Sequence, residues 1–188
     1  DQITQTPTLG GLILGDREQE SWNVPAEKVD FYDIKGIVEQ LVALVGDSIS
    51  YRFAPATHPA LHPGQCADLY RGDIKVGTLG AIHPQIAHRH DLPKNIYLFE
   101  IKLENIIMGR LSAFRPLSRF PSVRRDLAFI VQEDLNADQL IQTVRTVAPT
   151  LIRSAYVFDQ FKGKSIGEGL KSIALAVILH DLSRTLVD

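Results

Sequence analysis

Between residues 125 and 179 the spacing of apolar side chains switches from the period of a strand to that of a helix and back, an order that few folds accommodate. The run Arg125-Asp-Leu-Ala-Phe-Ile-Val131 reads as a strand ending at the acidic turn Glu133-Asp134. Three helix-start signals then coincide: Asn136 as cap, Gln139 three residues on as its box partner, and Leu135 placed to staple onto Leu140. Leu140, Ile141, Val144 and Val147 continue one apolar face until Pro149. Two further strands, Ile152 to Phe161 and Gly169 to Leu179, flank the loop Lys162-Gly-Lys-Ser-Ile-Gly-Glu168.

Strand, helix, strand, strand is the first two-thirds of a ferredoxin-like pattern. It predicts a ferredoxin-like domain over residues 113–188 that stops before its last helix and strand, with an exposed edge or face. The preceding residues, 1–112, predict a second α+β unit. Leu9-Gly-Gly-Leu-Ile-Leu-Gly15 is short, continuous and glycine-bounded, as expected of a buried strand. From Asp30, which caps the start, Ile34, Ile37, Val38, Leu41, Leu44 and Val45 recur at helical spacing, and Gly46 ends the run. Ile49 to Phe53, Ala67 to Tyr70 and Lys75 to Ile82 read as strands, the last two joined by an Arg71-Gly72-Asp73 turn. His83-Pro84 opens a short helix, with proline where its missing donor costs nothing, and Ile96 to Leu103 returns to strand alternation.

The net charge of -2 conceals an asymmetry. Residues 1–112 hold 10 Lys/Arg against 14 Asp/Glu, whereas residues 113–188 hold 10 against 8. The basic excess gathers at Arg115, Arg119, Arg124 and Arg125, a cluster suited to phosphates. The longest apolar run, Ile173 to Leu179, is far below the roughly 20 residues that span a bilayer, so no membrane segment is expected. One cysteine, Cys66, has no internal partner for a disulfide, which fits a reducing compartment, the cytoplasm.

Nothing in the chain selects a catalytic centre. Six histidines raise a metal hypothesis, but His58 and His62 each precede a proline, which biases them to extended backbone, and no Cys pair or His-Glu-x-x-His spacing supports them. No Gly-x-Ser-x-Gly elbow selects a nucleophile, and Cys66 reads as a buried, inert thiol. Lys162-Gly-Lys-Ser165 lacks the upstream glycine of a phosphate loop and reads as a turn that places Lys162 and Lys164 near phosphate. The aromatic signature of the common RNA-recognition motif is absent. Tyr156 and Phe158 fall on one strand face by alternation, where packing against Leu140 and Val144 is the expectation for Phe158.

Several ordered segments together resemble bacterial phenylalanine-tRNA ligase beta chains. They are Val29-Asp-Phe-Tyr-Asp-Ile-Lys-Gly36, His58-Pro-Ala-Leu-His-Pro-Gly-Gln65, Gly77-Thr-Leu-Gly-Ala-Ile-His-Pro84 and Ser118-Arg-Phe-Pro-Ser-Val-Arg-Arg-Asp126, then Phe158-Asp-Gln-Phe-Lys-Gly-Lys164, Glu168-Gly-Leu-Lys-Ser172 and Ser183-Arg-Thr-Leu186. The resemblance implies a catalytic-like module over 1–112, built on a class II synthetase-type antiparallel sheet that packs against the catalytic subunit, and a ferredoxin-fold anticodon-binding domain over 113–188. It implies no catalytic residue and no metal site in these residues. ATP and Mg2+ belong to the whole ligase and bind elsewhere, the alpha subunit of an alpha2-beta2 heterotetramer performs the activation of phenylalanine, and the fragment alone is inactive. Candidate contacts to phenylalanine tRNA are Arg119, Arg124, Arg125, Lys162 and Lys164. The competing reading is a free-standing ferredoxin-like regulatory module that binds a small ligand.

Overall fold

The computed structural model describes residues 3–45, 51–107, 118–163 and 165–186. The chain divides into two compact units, Asp1–Ala113 and Phe114–Asp188. The first is a five-stranded antiparallel sheet in the order β1-β5-β4-β3-β2, built from β1 (Thr8–Ile13), β2 (Tyr51–Pro55), β3 (Leu61–Arg71), β4 (Ile74–Ile82) and β5 (Tyr97–Lys102). Helix α1 (Phe31–Leu44) lies on one face and a short α2 (Pro84–Arg89) follows β4.

The start of α1 is a reciprocal cap. Asp30 accepts from the Tyr32 and Asp33 amides at 2.7 and 3.1 Å, and the Asp33 carboxylate accepts from the Asp30 amide at 2.7 Å. Ile34, Val38 and Val42 are buried against Leu69, Val76, Leu79 and Ile101 of the sheet. The apolar stripe is narrower than its sequence implies: Ile37 is partly exposed and Leu44 exposed, because the sheet covers only one side of the helix. Gly46, the expected stop, and Ile49 lie outside the described residues. Gly72 at φ +59° makes the tight β3–β4 connection, a conformation that favours glycine.

Two expectations are corrected here. The first apolar run is an edge strand, paired among the described strands to β5 alone, with alternating burial that leaves Leu12 and Leu14 exposed, rather than a buried one. Strand β3 begins at Leu61, not Ala67. A register shift between Leu61 and Cys66 absorbs Pro63, whose missing N–H cannot serve a regular ladder.

The second unit is a three-stranded antiparallel sheet in the order β6-β8-β7, from β6 (Val123–Gln132), β7 (Ile152–Phe161) and β8 (Leu170–Leu179), with α3 (Ala137–Val147) after β6. Asn136 caps α3 by accepting from the Asp138 amide at 3.0 Å. Ile141 and Val144 pack with Ala155, Leu175 and Val177, while Val147 points to solvent. Lys171, itself buried, donates to the Leu135 carbonyl at 2.7 Å and ties β8 to the approach to α3.

Candidate nucleic-acid interface

Because β8 is central, its cross-strand partners sort every side chain of the second sheet by face. Arg125, Val177 and Ala155 share a row, as do Leu127, Leu175 and Val157, and these point toward α3. On the opposite face the rows are Arg124-Ile178-Ser154, Asp126-Ala176-Tyr156, Ala128-Ala174-Asp159 and Ile130-Ser172-Phe161. No described helix covers this second face. Its centre is floored by small side chains, with Ala176 fully shielded by its neighbours, and its flanks carry Tyr156, Phe161 and Ile130, all exposed.

Phe158 departs from the expected packing against Leu140 and Val144. The core takes Ala155 and Val157, so alternation keeps Phe158 beside Tyr156 on the open face, where it is 47% exposed with the Arg124 guanidinium 5.2 Å from its ring centre; a register shift between Val157 and Asp159 then brings Phe161 to the same face. The open face therefore presents three aromatic rings from one strand. Gly163 sits against the Phe161 ring, where a Cβ would come within 2.8 Å of Cζ, so the turn after β7 backs that ring.

The five residues expected at the interface are dispersed. Arg124 stands on the open face and grips Asp126 through two bonds of 2.7 and 3.2 Å, which raise its pKa further. Arg125, its neighbour, is turned to the helix side by strand alternation, so the cluster read from the sequence is split between faces. Arg119 is exposed in the segment before β6. That segment is held by Ser118 Oγ, which donates to the Asp181 carbonyl at 3.4 Å, and by His180 Nε2, 3.1 Å from the Phe120 carbonyl. Lys162 lies at the other end of the sheet, paired with Glu133 at 2.5 Å, and Lys164 lies outside the described residues. Arg184 stands apart from the other basic residues in the sequence, so charge clustering does not single it out. It is bonded to Asp181 at 3.2 Å, beside the segment carrying Arg119, and is 75% exposed.

Three of the first unit's five histidines contact backbone through Nδ1. Nδ1 of His58, His62 and His83 accepts from the amides of Ala60, Gly64 and Gln85 at 3.2, 3.0 and 3.2 Å. Among the described residues no group of three His, Cys, Asp or Glu is placed to hold a metal ion. No helix among them is long and apolar enough to cross a membrane. Cys66 is buried, and burial pushes its thiol pKa up, with Asp68 adding to the rise.

Comparison with known proteins places both units. The family described as phenylalanyl tRNA synthetase beta chain CLM domain matches residues 1–103, and the ferredoxin-fold anticodon binding domain matches residues 118–188. Beta subunits of phenylalanine--tRNA ligase are similar over nearly the whole chain. The protein of Methylococcus capsulatus is 42% identical over 186 residues, 99% of this chain and 23% of that protein. Those of Pseudomonas fluorescens and Coxiella burnetii are 40% and 41% identical over 99% and 98% of the chain, 24% and 23% of their own lengths. The chain thus spans about a quarter of the length of the relatives it matches. A mixed α/β chain with antiparallel sheets and a ferredoxin-fold anticodon-binding domain, matched in order along its length, belongs to the family of phenylalanine--tRNA ligase beta subunits.

Proposed function

We propose that these residues serve a phenylalanine--tRNA ligase, which joins phenylalanine to its tRNA with ATP, as a subunit-packing module followed by an RNA-binding module. The first unit, with its helix-backed antiparallel sheet, is read as a class II synthetase-type module without catalytic reagents, seated against an alpha subunit in an alpha2-beta2 assembly. ATP and Mg2+ are held elsewhere in that assembly, and its compartment is the cytoplasm. Residues 113–188 are read as the module that meets the anticodon stem and loop of phenylalanine tRNA.

The observation that carries the RNA reading is the uncovered face of the second sheet, where three exposed aromatic rings border a floor of Ala174 and Ala176. Unpaired bases stack on such rings without requiring a fixed sequence. Arg119, Arg124 and Arg184 stand at the end where β6 starts and β8 ends, and Lys162 stands at the other, so phosphates are met on both sides of the platform. Arg125 is assigned to a phosphate approaching from the helix side, and Lys164 to the same loop as Lys162.

The test uses the full-length subunit with its partner and fluorescently labelled phenylalanine tRNA, followed by anisotropy across a salt series. Phe161→Ala is expected to weaken binding about tenfold, the typical loss for one stacked base. Arg124→Ala is expected to weaken it and to reduce the slope of log affinity against log salt by about one. Unchanged affinity and slope in both variants would overturn the assignment of this face.

A further inference from the structure

The cations of the second unit differ in what already holds them. Arg124 is engaged by Asp126 and Lys162 by Glu133, whereas Arg119 has no ion pair or hydrogen bond among the described residues. A phosphate approaching Arg124 or Lys162 competes with a carboxylate, and one approaching Arg119 does not. An arginine binds best when its backbone is already in place, because ordering a loose segment on contact subtracts from affinity.

Arg119 lies before the sheet ladder, whose first row is Val123 with Leu179, so strand pairing does not fix it. Two local features stiffen its segment. Pro121 fixes its own φ and confines Phe120 to extended backbone. The Phe120 amide donates to Ser118 Oγ at 3.0 Å and closes a short turn with Arg119 at its tip. His180, the residue after β8, then anchors that turn. Its amide donates to the Leu151 carbonyl at 2.8 Å, and its ring Nε2 lies 3.1 Å from the Phe120 carbonyl. A carbonyl only accepts, so Nε2 carries the proton and donates. Ser118 Oγ adds a longer contact of 3.4 Å to the Asp181 carbonyl. One half-buried histidine thus joins the approach to β7, the exit of β8 and the approach to β6.

We propose that His180 is a positioning residue for RNA: by tying the Phe120 carbonyl to the end of β8, it seats Arg119 for a backbone phosphate beside the open sheet face. The inference rests on the RNA-binding reading above and adds to it a residue that itself touches no RNA. Ser118 supports the same turn from within. What Arg119 meets is a phosphodiester oxygen, so its contribution is the same for every base sequence.

The experiment measures binding of labelled phenylalanine tRNA to the full-length subunit with its partner, by anisotropy across a salt series, with the melting temperature of each variant recorded alongside. Arg119→Ala is expected to weaken binding about tenfold and to lower the slope of log affinity against log salt by about one. His180→Leu, which cannot donate, is expected to weaken it about fivefold, and His180→Gln, whose amide can donate to the same carbonyl, to restore most of that loss. Added to Arg119→Ala, His180→Leu is expected to change nothing further, because both act through one side chain. Additive losses in that pair, or His180→Gln as weak as His180→Leu, overturn the inference. A lowered melting temperature of His180→Leu with affinity and slope unchanged assigns the ring to stability alone and overturns it too. Should His180→Leu not fold, Ser118→Ala takes its place in the pair, with a loss of about twofold expected only while Arg119 is present. A loss that persists without Arg119 is again contrary. Silence of Arg119→Ala beside a weakened Phe161→Ala overturns the inference and leaves the RNA face standing, whereas silence of Phe161→Ala and Arg124→Ala as well overturns both.

Discussion

Two side chains make residue-level predictions because their surroundings bias one protonation state. Asp181, after β8, accepts from Ser183 N–H at 2.8 Å and Ser183 Oγ–H at 2.6 Å and from Arg184 at 3.2 Å. These donors hold its carboxyl pKa at about 2, below its ordinary 3.8, Ser183 contributing most. A depressed folded-state pKa contributes stability that is fully present above the ordinary value and is lost as pH falls toward 2. Carboxyl 13C titration is expected to give the low value, and Asp181→Asn to remove that part of the acid unfolding limb. Cys66 is the opposite case. Its thiol pKa is raised by burial, and the thiolate is the reactive form, so a disulfide reagent at neutral pH should react slowly with native protein and at once in denaturant.

Elements respond to substitution according to what a side chain meets. Removing the α1 cap with Asp30→Ala leaves the Tyr32 and Asp33 amides without their acceptor and is expected to cost about 1 kcal/mol in urea unfolding. Two glycines give opposite signs. A Cβ at Gly77 would sit 2.6 Å from the Glu100 carbonyl oxygen, so Gly77→Ala forces β4 from β5 and lowers the unfolding midpoint. Gly36, inside α1, has nothing within 4 Å of its would-be Cβ, and Gly36→Ala is expected to add roughly 0.5 to 1 kcal/mol by restricting the unfolded chain. On the second sheet the decisive local feature is the β7 bulge, which brings Phe161 to the side that carries Tyr156 and Phe158.

At the scale of the molecule the two units have separate cores, one drawn from residues 29–106 and the other centred on Ala155, Leu175 and Val177. Leu79→Ala and Leu175→Ala, each emptying a fully buried site, are expected to cost about 2 to 5 kcal/mol, with amide protection in exchange experiments lost in the unit that carries the change. Much of this architecture is legible in the chain itself, since caps, turns and apolar periods act over a few residues. Asp30, Asn136, Gly72 and Pro84 mark helix starts and a hairpin where the structure has them. The sequence pattern makes β3 too short because Pro63 hides its first half, and it does not announce the register shift that accommodates this proline. The ordered motifs were enough to identify the family, but the interface was not legible in the same way. Neighbouring arginines in a strand necessarily face apart, yet which of Arg124 and Arg125 meets open surface depends on the side α3 takes. Likewise, Tyr156 and Phe158 share a face by alternation, and only the packing of α3 on the side of Ala155 and Val157 leaves that face outside. Local chemistry determines elements, whereas exposure is a property of how elements cover one another, and that covering is decided only in three dimensions.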